Sequence, residues 1–471
     1  MSSDTAKMAI ADPPSDLVVS AGSVLPRGSL TERARAASGE RTVAIRDVWR
    51  ALWCSRLLVW VAGAGAVAML GFGPARHAFN PPGSTSGFGW LGNALAAPAA
   101  RWDAAWYLTI AHYGYRPELG SLTASRTAFF PLYPVGLRAL SDIGFAPVIA
   151  GVVLSLSAFA AALYGLHRLS TLEVARLRDA LPGKLDPREA ARLAVLLTAF
   201  APMAFFFSAI YSESLYMALS VGVFLCARRG RWASAALLAA LAGATRSTGI
   251  VLMLPIALLY LYGPREDRPA DFPLARGLRP RYRLRADALW IALAPVGLGL
   301  YMVHLALAGG DALAPFHAEA VWSRHFAAPF GGVWDGAKAA FEGLRQLLSF
   351  QRHHVYYPAA GGSPFIDAGH NLLLFAFLLA AIPATVGVLR LLPLAYGAYV
   401  LAALALPLSY PVAPQPLMSL PRFLLVLFPL TIWFAVRLSL RPLMLQRAVL
   451  VCSGVAMAFF VGEFATWHWV A

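Results

Sequence analysis

Charged residues are scarce in this chain: they make up 13% of its 471 residues, while 59% are hydrophobic. A soluble domain carries about 25% charge, so the deficit excludes an ordinary soluble protein and predicts an all-α polytopic membrane protein. Cysteine is also sparse. Cys54, Cys226 and Cys452 are odd in number, far apart and set in or beside apolar runs, which argues against a disulfide framework. Several motifs are missing as well. No Gly-x-x-x-x-Gly-Lys-Ser/Thr phosphate loop is present. Without an Asp-x-Asp pair, a metal-held nucleotide sugar is disfavoured. No intramembrane series of acids suggests a proton pump, and no inverted halves suggest a secondary transporter. The N-terminus has no compact basic region followed by an apolar core and a cleavage site.

What is present is a succession of apolar runs near the length of about 20 residues that a span needs. Residues 1–50 read as a disordered cytoplasmic tail and 51–471 as the membrane domain. About eleven spans are expected, the first near 53–72. Two short apolar pieces, 232–244 and 249–262, flank Arg246. The formal net charge of +15 does not point to nucleic acid, because the basic residues sort by side. With the N-terminus in the cytoplasm, the inner segments hold 28 Lys and Arg and the outer segments 11, as the positive-inside rule requires. The stretch 129–140, broken by prolines, reads as an interfacial helix. Two large outer segments follow, about 73–146 and 309–370, and long ordered loops tend to be functional.

The first outer segment contains Arg101-Trp102-Asp103, with Trp106 and Tyr107, and then Tyr113-Gly114-Tyr115. Lipid-facing helices have no need of a Trp-Asp pair, whereas a sugar site beside a bilayer does. Aromatic faces pack on sugar rings, and a carboxylate can accept a proton from an acceptor hydroxyl. Asp103 is therefore a candidate base, with Arg101, Trp102 and Tyr115 as candidate substrate contacts; the bland alternative is an N-cap beside interfacial tryptophans. Glu213, in Tyr211-Ser212-Glu213-Ser214, is a costly acid at a span end or a hairpin cap. Arg246 sits where Thr245, Ser247, Thr248 and Gly249 let a helix break, and it suits a phosphate through paired donors; otherwise it snorkels. Arg422, in Pro421-Arg422-Phe423, binds phosphate, pairs with an acid, or is simply interfacial.

The second outer segment is rich in aromatics and histidine: His317, Trp322, Arg324, His325, His353, His354, Tyr356, Tyr357 and His370. It suits sugar or lipid-headgroup recognition. Adjacent helical residues do not face one way, so the His353-His354 pair makes a poor metal site. No metal ligands are assigned, and dependence on a divalent ion stays open.

Taken in order, these pieces resemble the PIG-V family of GPI mannosyltransferases, within the GT-C class of membrane glycosyltransferases. The resemblance rests on Arg101-Trp102-Asp103, Ile110-Ala111-His112-Tyr113-Gly114-Tyr115, Phe129-Phe130-Pro131-Leu132-Tyr133-Pro134, Tyr211-Ser212-Glu213-Ser214, Thr245-Arg246-Ser247-Thr248-Gly249 and Pro421-Arg422-Phe423. Thr248 stands where the family usually has Asn. The resemblance implies a GT-C-like helical bundle, a polyprenyl- or dolichyl-phosphate sugar donor and a catalytic outer-face Asp, here Asp103. It implies no cofactor, since the lipid-linked donor is a substrate. It leaves the acceptor open among glycolipid, glycan and protein. The Ala- and Arg-rich composition reads as that of a bacterium with a GC-rich genome. The rival reading is a transporter or flippase of a lipid-linked sugar in the same cell membrane.

Overall fold

Where apolar side chains face lipid, each backbone amide must find its partner within the chain, and an uninterrupted helix does this most simply. The computed structural model describes residues 30–71, 89–115, 125–180, 185–272, 279–355, 363–413 and 415–470. Among them are seventeen α-helices and no named strand; one isolated antiparallel bridge joins Arg324 to Val412. In chain order the helices are α1 Leu30–Leu70, α2 Gly89–Ala96, α3 Ala104–Tyr113, α4 Leu132–Asp142, α5 Pro147–Ala180, α6 Pro187–Ala199 and α7 Glu213–Arg228. There follow α8 Trp232–Gly243, α9 Met253–Tyr262, α10 Val296–Gly309, α11 Ala314–Ala318, α12 Gly331–Ser349, α13 Pro364–Leu391, α14 Leu394–Ser409, α15 Leu420–Leu425, α16 Phe428–Ser439 and α17 Leu443–Ala465. The described residues from 44 onward form one compact unit.

The expectation of an all-helical polytopic membrane protein holds, but the spans are not eleven uniform rods. Segments of α1, α5, α13 and α17 are long and apolar enough to cross a membrane. A fifth candidate is the pair Ala286–Leu293 and α10, bent by 40° at Pro295, which has no N–H to continue the ladder. Several other apolar helices are shorter. The twelve residues of α8 reach about 18 Å at 1.5 Å per residue, against a hydrocarbon core of about 30 Å. A second difference lies at the N-terminus. Helix α1 begins at Leu30, so residues 30–50, expected within the disordered tail, are helical.

The breaks in the short helices fall at functional candidates. Helix α8 stops at Gly243, Arg246 is extended, and a 3-10 turn Ser247–Leu252 then leads into α9. Gly249 permits this return, because a Cβ there would lie 2.2 Å from the carbonyl of Ala242. Helix α15 ends at Leu425 and α16 starts at Phe428, just beyond Arg422. Helix α5 packs against α6 and α7, and α7 against α8. This core contains Phe159 stacked on Phe207 at 4.5 Å. At the end of α6, buried Arg56 donates to the carbonyls of Ala199 and Ala204. The bond to Ala199 satisfies an acceptor left over where the helix stops, and the bond to Ala204 holds the 3-10 turn Ala204–Phe207 on the way to Glu213.

Candidate functional site

The turn before α3 presents Asp103. Trp102 has φ of 53°, a left-handed conformation that costs a bulky residue about 1–2 kcal/mol. Edge contacts with Trp467 at 5.7 Å and Trp469 at 5.1 Å hold it there. The buried Tyr211 hydroxyl clamps the same turn, accepting from the Asp103 N–H at 3.0 Å and donating to the Arg101 carbonyl at 3.2 Å. The Asp103 side chain does not cap α3. Instead its Oδ2 accepts from Arg422 Nη1 at 2.7 Å, so of the readings left open by the sequence the N-cap is not realised.

Glu213 opens α7 and is almost wholly buried. Its Oε1 accepts from Arg246 Nη1 at 2.6 Å and lies 3.3 Å from Arg422 Nε, while its Oε2 is buried without a hydrogen-bond partner. Arg422 thus serves two carboxylates, and its guanidinium lies 5.5 Å from the Tyr211 ring centroid and 5.6 Å from that of Phe206. Arg246 neither snorkels nor stands alone: it lies over Tyr216 and Phe423. Two hydrogen bonds fix its segment. Tyr216 donates to the Thr248 carbonyl at 3.3 Å, and the Leu132 N–H, in the Pro-broken aromatic run, donates to the Ala244 carbonyl at 2.9 Å. Tyr107 donates to Ser212 at 2.9 Å. Burial, with the Glu213 charge adding, pushes its hydroxyl up to about 12, so Tyr107 stays a neutral donor.

Asp103, Glu213, Arg246 and Arg422 all line one cavity of about 330 Å³, at the small end of the usual ligand-site range of about 300–1,000 Å³. Helices α3, α7 and α15 form part of its wall, together with the 3-10 turn after Arg246. The second long segment closes another side with Glu319, Trp322 and Arg324. Trp322 stands edge-on to Phe129 at 5.9 Å and to Trp106 at 6.3 Å, joining that segment to the Asp103 helix.

The other three candidates do not line this cavity. Arg101 is buried, donating through Nε to the Ala465 carbonyl at 3.1 Å and through Nη1 to that of Ala100 at 3.0 Å. Trp102 packs behind the turn. Tyr115 donates to the Phe129 carbonyl at 2.6 Å, its ring 5.2 Å from that of Tyr301. All three support the walls. Sequence reasoning passed over Tyr211 as the clamp on Asp103, although it stands in the same motif as Glu213. It also passed over Glu319, whose only signal was proximity to Trp322 and Arg324. Of the histidines, His317 pairs with Asp311 at 2.8 Å and His354 with Asp367 at 3.8 Å. No group of three His, Cys, Asp or Glu suited to a metal occurs among the described residues, and Tyr356 and Tyr357 lie outside them.

The profile of a family described as "Mannosyltransferase (PIG-V)" matches residues 70–260. The GPI alpha-1,6-mannosyltransferase 2 of Rattus norvegicus is 32% identical over 183 residues, covering 38% of this chain and 36% of the rat protein. That of Cricetulus griseus is 33% identical over 184 residues, covering 38% of this chain and 35% of its own. The chain therefore spans about a third of the length of these curated relatives. No solved structure matches. The resemblance read from the motifs is borne out over residues 70–260: that stretch, with Asp103, Glu213 and Arg246, is PIG-V-like in sequence, and Arg422 completes its site from beyond it.

Proposed function

We propose that this protein is a membrane glycosyltransferase, a mannosyltransferase by its family resemblance, that moves a sugar from a polyprenyl-phosphate donor to an extracytoplasmic acceptor with inversion. The observation that carries this reading is the meeting of Asp103, Glu213, Arg246 and Arg422, drawn from four separate motifs, at one cavity. Asp103 takes the proton from an acceptor hydroxyl. The hydroxyl oxygen bonds to the anomeric carbon on the face opposite the phosphate. The bond from that carbon to the phosphate oxygen breaks, and lipid phosphate leaves with the electron pair. Arg246 and Arg422 stabilise the leaving charge with donors already in position, and Glu213 holds both guanidiniums in place. A glycolipid, glycan or protein supplies the hydroxyl, and the donor's lipid tail lies in the bilayer.

The site faces outward in this proposal and the N-terminus is cytoplasmic. Glu213 and the basic turn at Arg228 lie at opposite ends of α7, in keeping with the sorting of basic residues. In a cysteine-free background, a membrane-impermeant thiol reagent applied outside should label cysteine at exposed position 353 and spare it at exposed position 283; the reverse would overturn the orientation. The function itself is tested with purified protein, labelled polyprenyl-phosphate mannose and candidate acceptors. Transfer supports the enzyme. Movement of the intact donor between leaflets without bond breakage would favour the flippase instead.

A further inference from the structure

The three carboxylates of the cavity are engaged to different degrees. Asp103 Oδ2 is held by Arg422, and its side chain is 18% exposed; Glu213 is 2% exposed. Glu319 is 43% exposed while its partner Arg324 is 12% exposed. Glu319 Oε2 pairs with Arg324 Nε at 3.1 Å, and Arg324 Nη1 donates to the Tyr410 carbonyl at 2.9 Å. The pair is therefore anchored at one end. Among the described residues, Glu319 Oε1 accepts no hydrogen bond from the protein, and the residue lines the cavity.

Trp322 lies three residues further along, in the 3-10 turn Glu319–Trp322. Its ring is fixed by Phe129 and Trp106 and also lines the cavity. The chemistry of this wall differs from that of the Arg246–Arg422 wall. Both walls pair acids with arginines, but here the free acceptor is reached from the cavity, Glu319 being 43% exposed where Glu213 is 2% exposed, so this wall takes O–H donors. An aromatic face beside such an acceptor fits the apolar face and the hydroxyl edge of one sugar ring.

We propose that Glu319, braced by Arg324, forms with Trp322 a recognition subsite for the hydroxyls of a neutral sugar ring. This deepens the transferase reading by naming what its second wall holds, and it assigns Glu319 to recognition and not to proton transfer. The hydroxyls come from the donor's sugar or from the acceptor's.

The test is saturation-transfer NMR with methyl α-D-mannopyranoside on the full-length protein in a sugar-free detergent. Wild type should receive saturation transfer. Glu319→Ala should weaken binding roughly tenfold, as expected for a lost hydrogen bond to a charged group. Glu319→Gln, which keeps the shape and one acceptor oxygen, should fall between, and it carries the test if the alanine variant does not fold. Equal signals in wild type and both variants, or no signal in wild type, would overturn the subsite. The transfer assay separates the two sources: a raised KM for acceptor assigns the ring to the acceptor, and a raised KM for donor assigns it to the donor. A fall in kcat with both KM values unchanged would overturn recognition as the role. Glycoside binding that depends on Glu319 in a protein with no transfer activity would keep the subsite and overturn the transferase reading. Transfer with no dependence on Glu319 would do the opposite.

Discussion

Helix α7 begins at one buried carboxylate–arginine network and ends at another, and the two are wired differently. At its end, Glu173 Oε1 accepts from Arg228 Nε and from the Tyr396 hydroxyl, and Glu173 Oε2 pairs with Arg176 at 3.4 Å. Arg228 also donates to the Pro264 carbonyl at 2.8 Å. Both oxygens of that acid are used, and the cluster does not line the site cavity. At its start, Glu213 draws two arginines to one oxygen, leaves the other without a hydrogen bond, and faces the cavity. A saturated buried network holds helices together. An unsaturated one beside a cavity keeps part of its hydrogen-bonding capacity for something that arrives.

Substitutions can break this comparison, starting with the strongest. Asp103→Asn keeps size and, since the side chain caps nothing, should leave α3 intact. General-base catalysis contributes about 10²- to 10⁴-fold, and transfer should fall by that factor with normal expression and retained donor binding; wild-type turnover would remove Asp103 as the base. Next comes a matched pair. Glu213→Gln should lower kcat roughly a hundredfold, without raising the donor KM, because the arginines are freed and not lost. Glu173→Gln should instead destabilise the fold by about 3–5 kcal/mol, as breaking a buried pair does, with the activity per folded molecule unchanged. Similar melting curves for both variants would erase the distinction between the two ends.

Arg246→Lys is a gentler probe. It keeps the charge but loses the planar fork, and the donor KM should rise roughly tenfold; unchanged donor kinetics would leave Arg246 as a wall residue. The smallest effect concerns pH. Enclosure by the cavity walls pushes the Glu319 carboxyl up, opposed by Arg324 and Arg422, with Asp103 adding and Arg246 opposing. Glu319 is therefore ionised only above a raised value. Glycoside binding should weaken as pH falls through a point higher than the ordinary Glu value of about 4.3, and Glu319→Gln should flatten that limb. An identical acid limb in the variant would assign it to another group.

Asp103, Glu213, Arg246 and Arg422 were legible in the sequence because each interrupts an apolar run, where an ionised side chain is expensive unless it is used. Their pairing was not. Arg101 looks in sequence like a ligand beside the Trp-Asp pair. Its guanidinium is engaged by a helix end 364 residues further along the chain, which no local pattern reveals. Glu319 sits in a short turn with no periodicity to mark it. The break at Arg246 was legible, from the short apolar pieces on either side and the Thr, Ser and Gly between them, whereas hydropathy does not see that α15, which carries Arg422, ends after six residues.

One guanidinium shared by two acids also sets a timetable. Arg422 follows Asp103 by 319 residues, whereas Arg246 follows Glu213 by only 33. At about 5–20 residues per second of synthesis, the ribosome delivers Arg246 within seconds of Glu213 but leaves Asp103 waiting roughly tens of seconds for its counter-ion. A nascent chain released at residue 260 would hold both acids and no Arg422. The stretch that carries Arg422 therefore decides whether the two acids translated before it acquire a finished site.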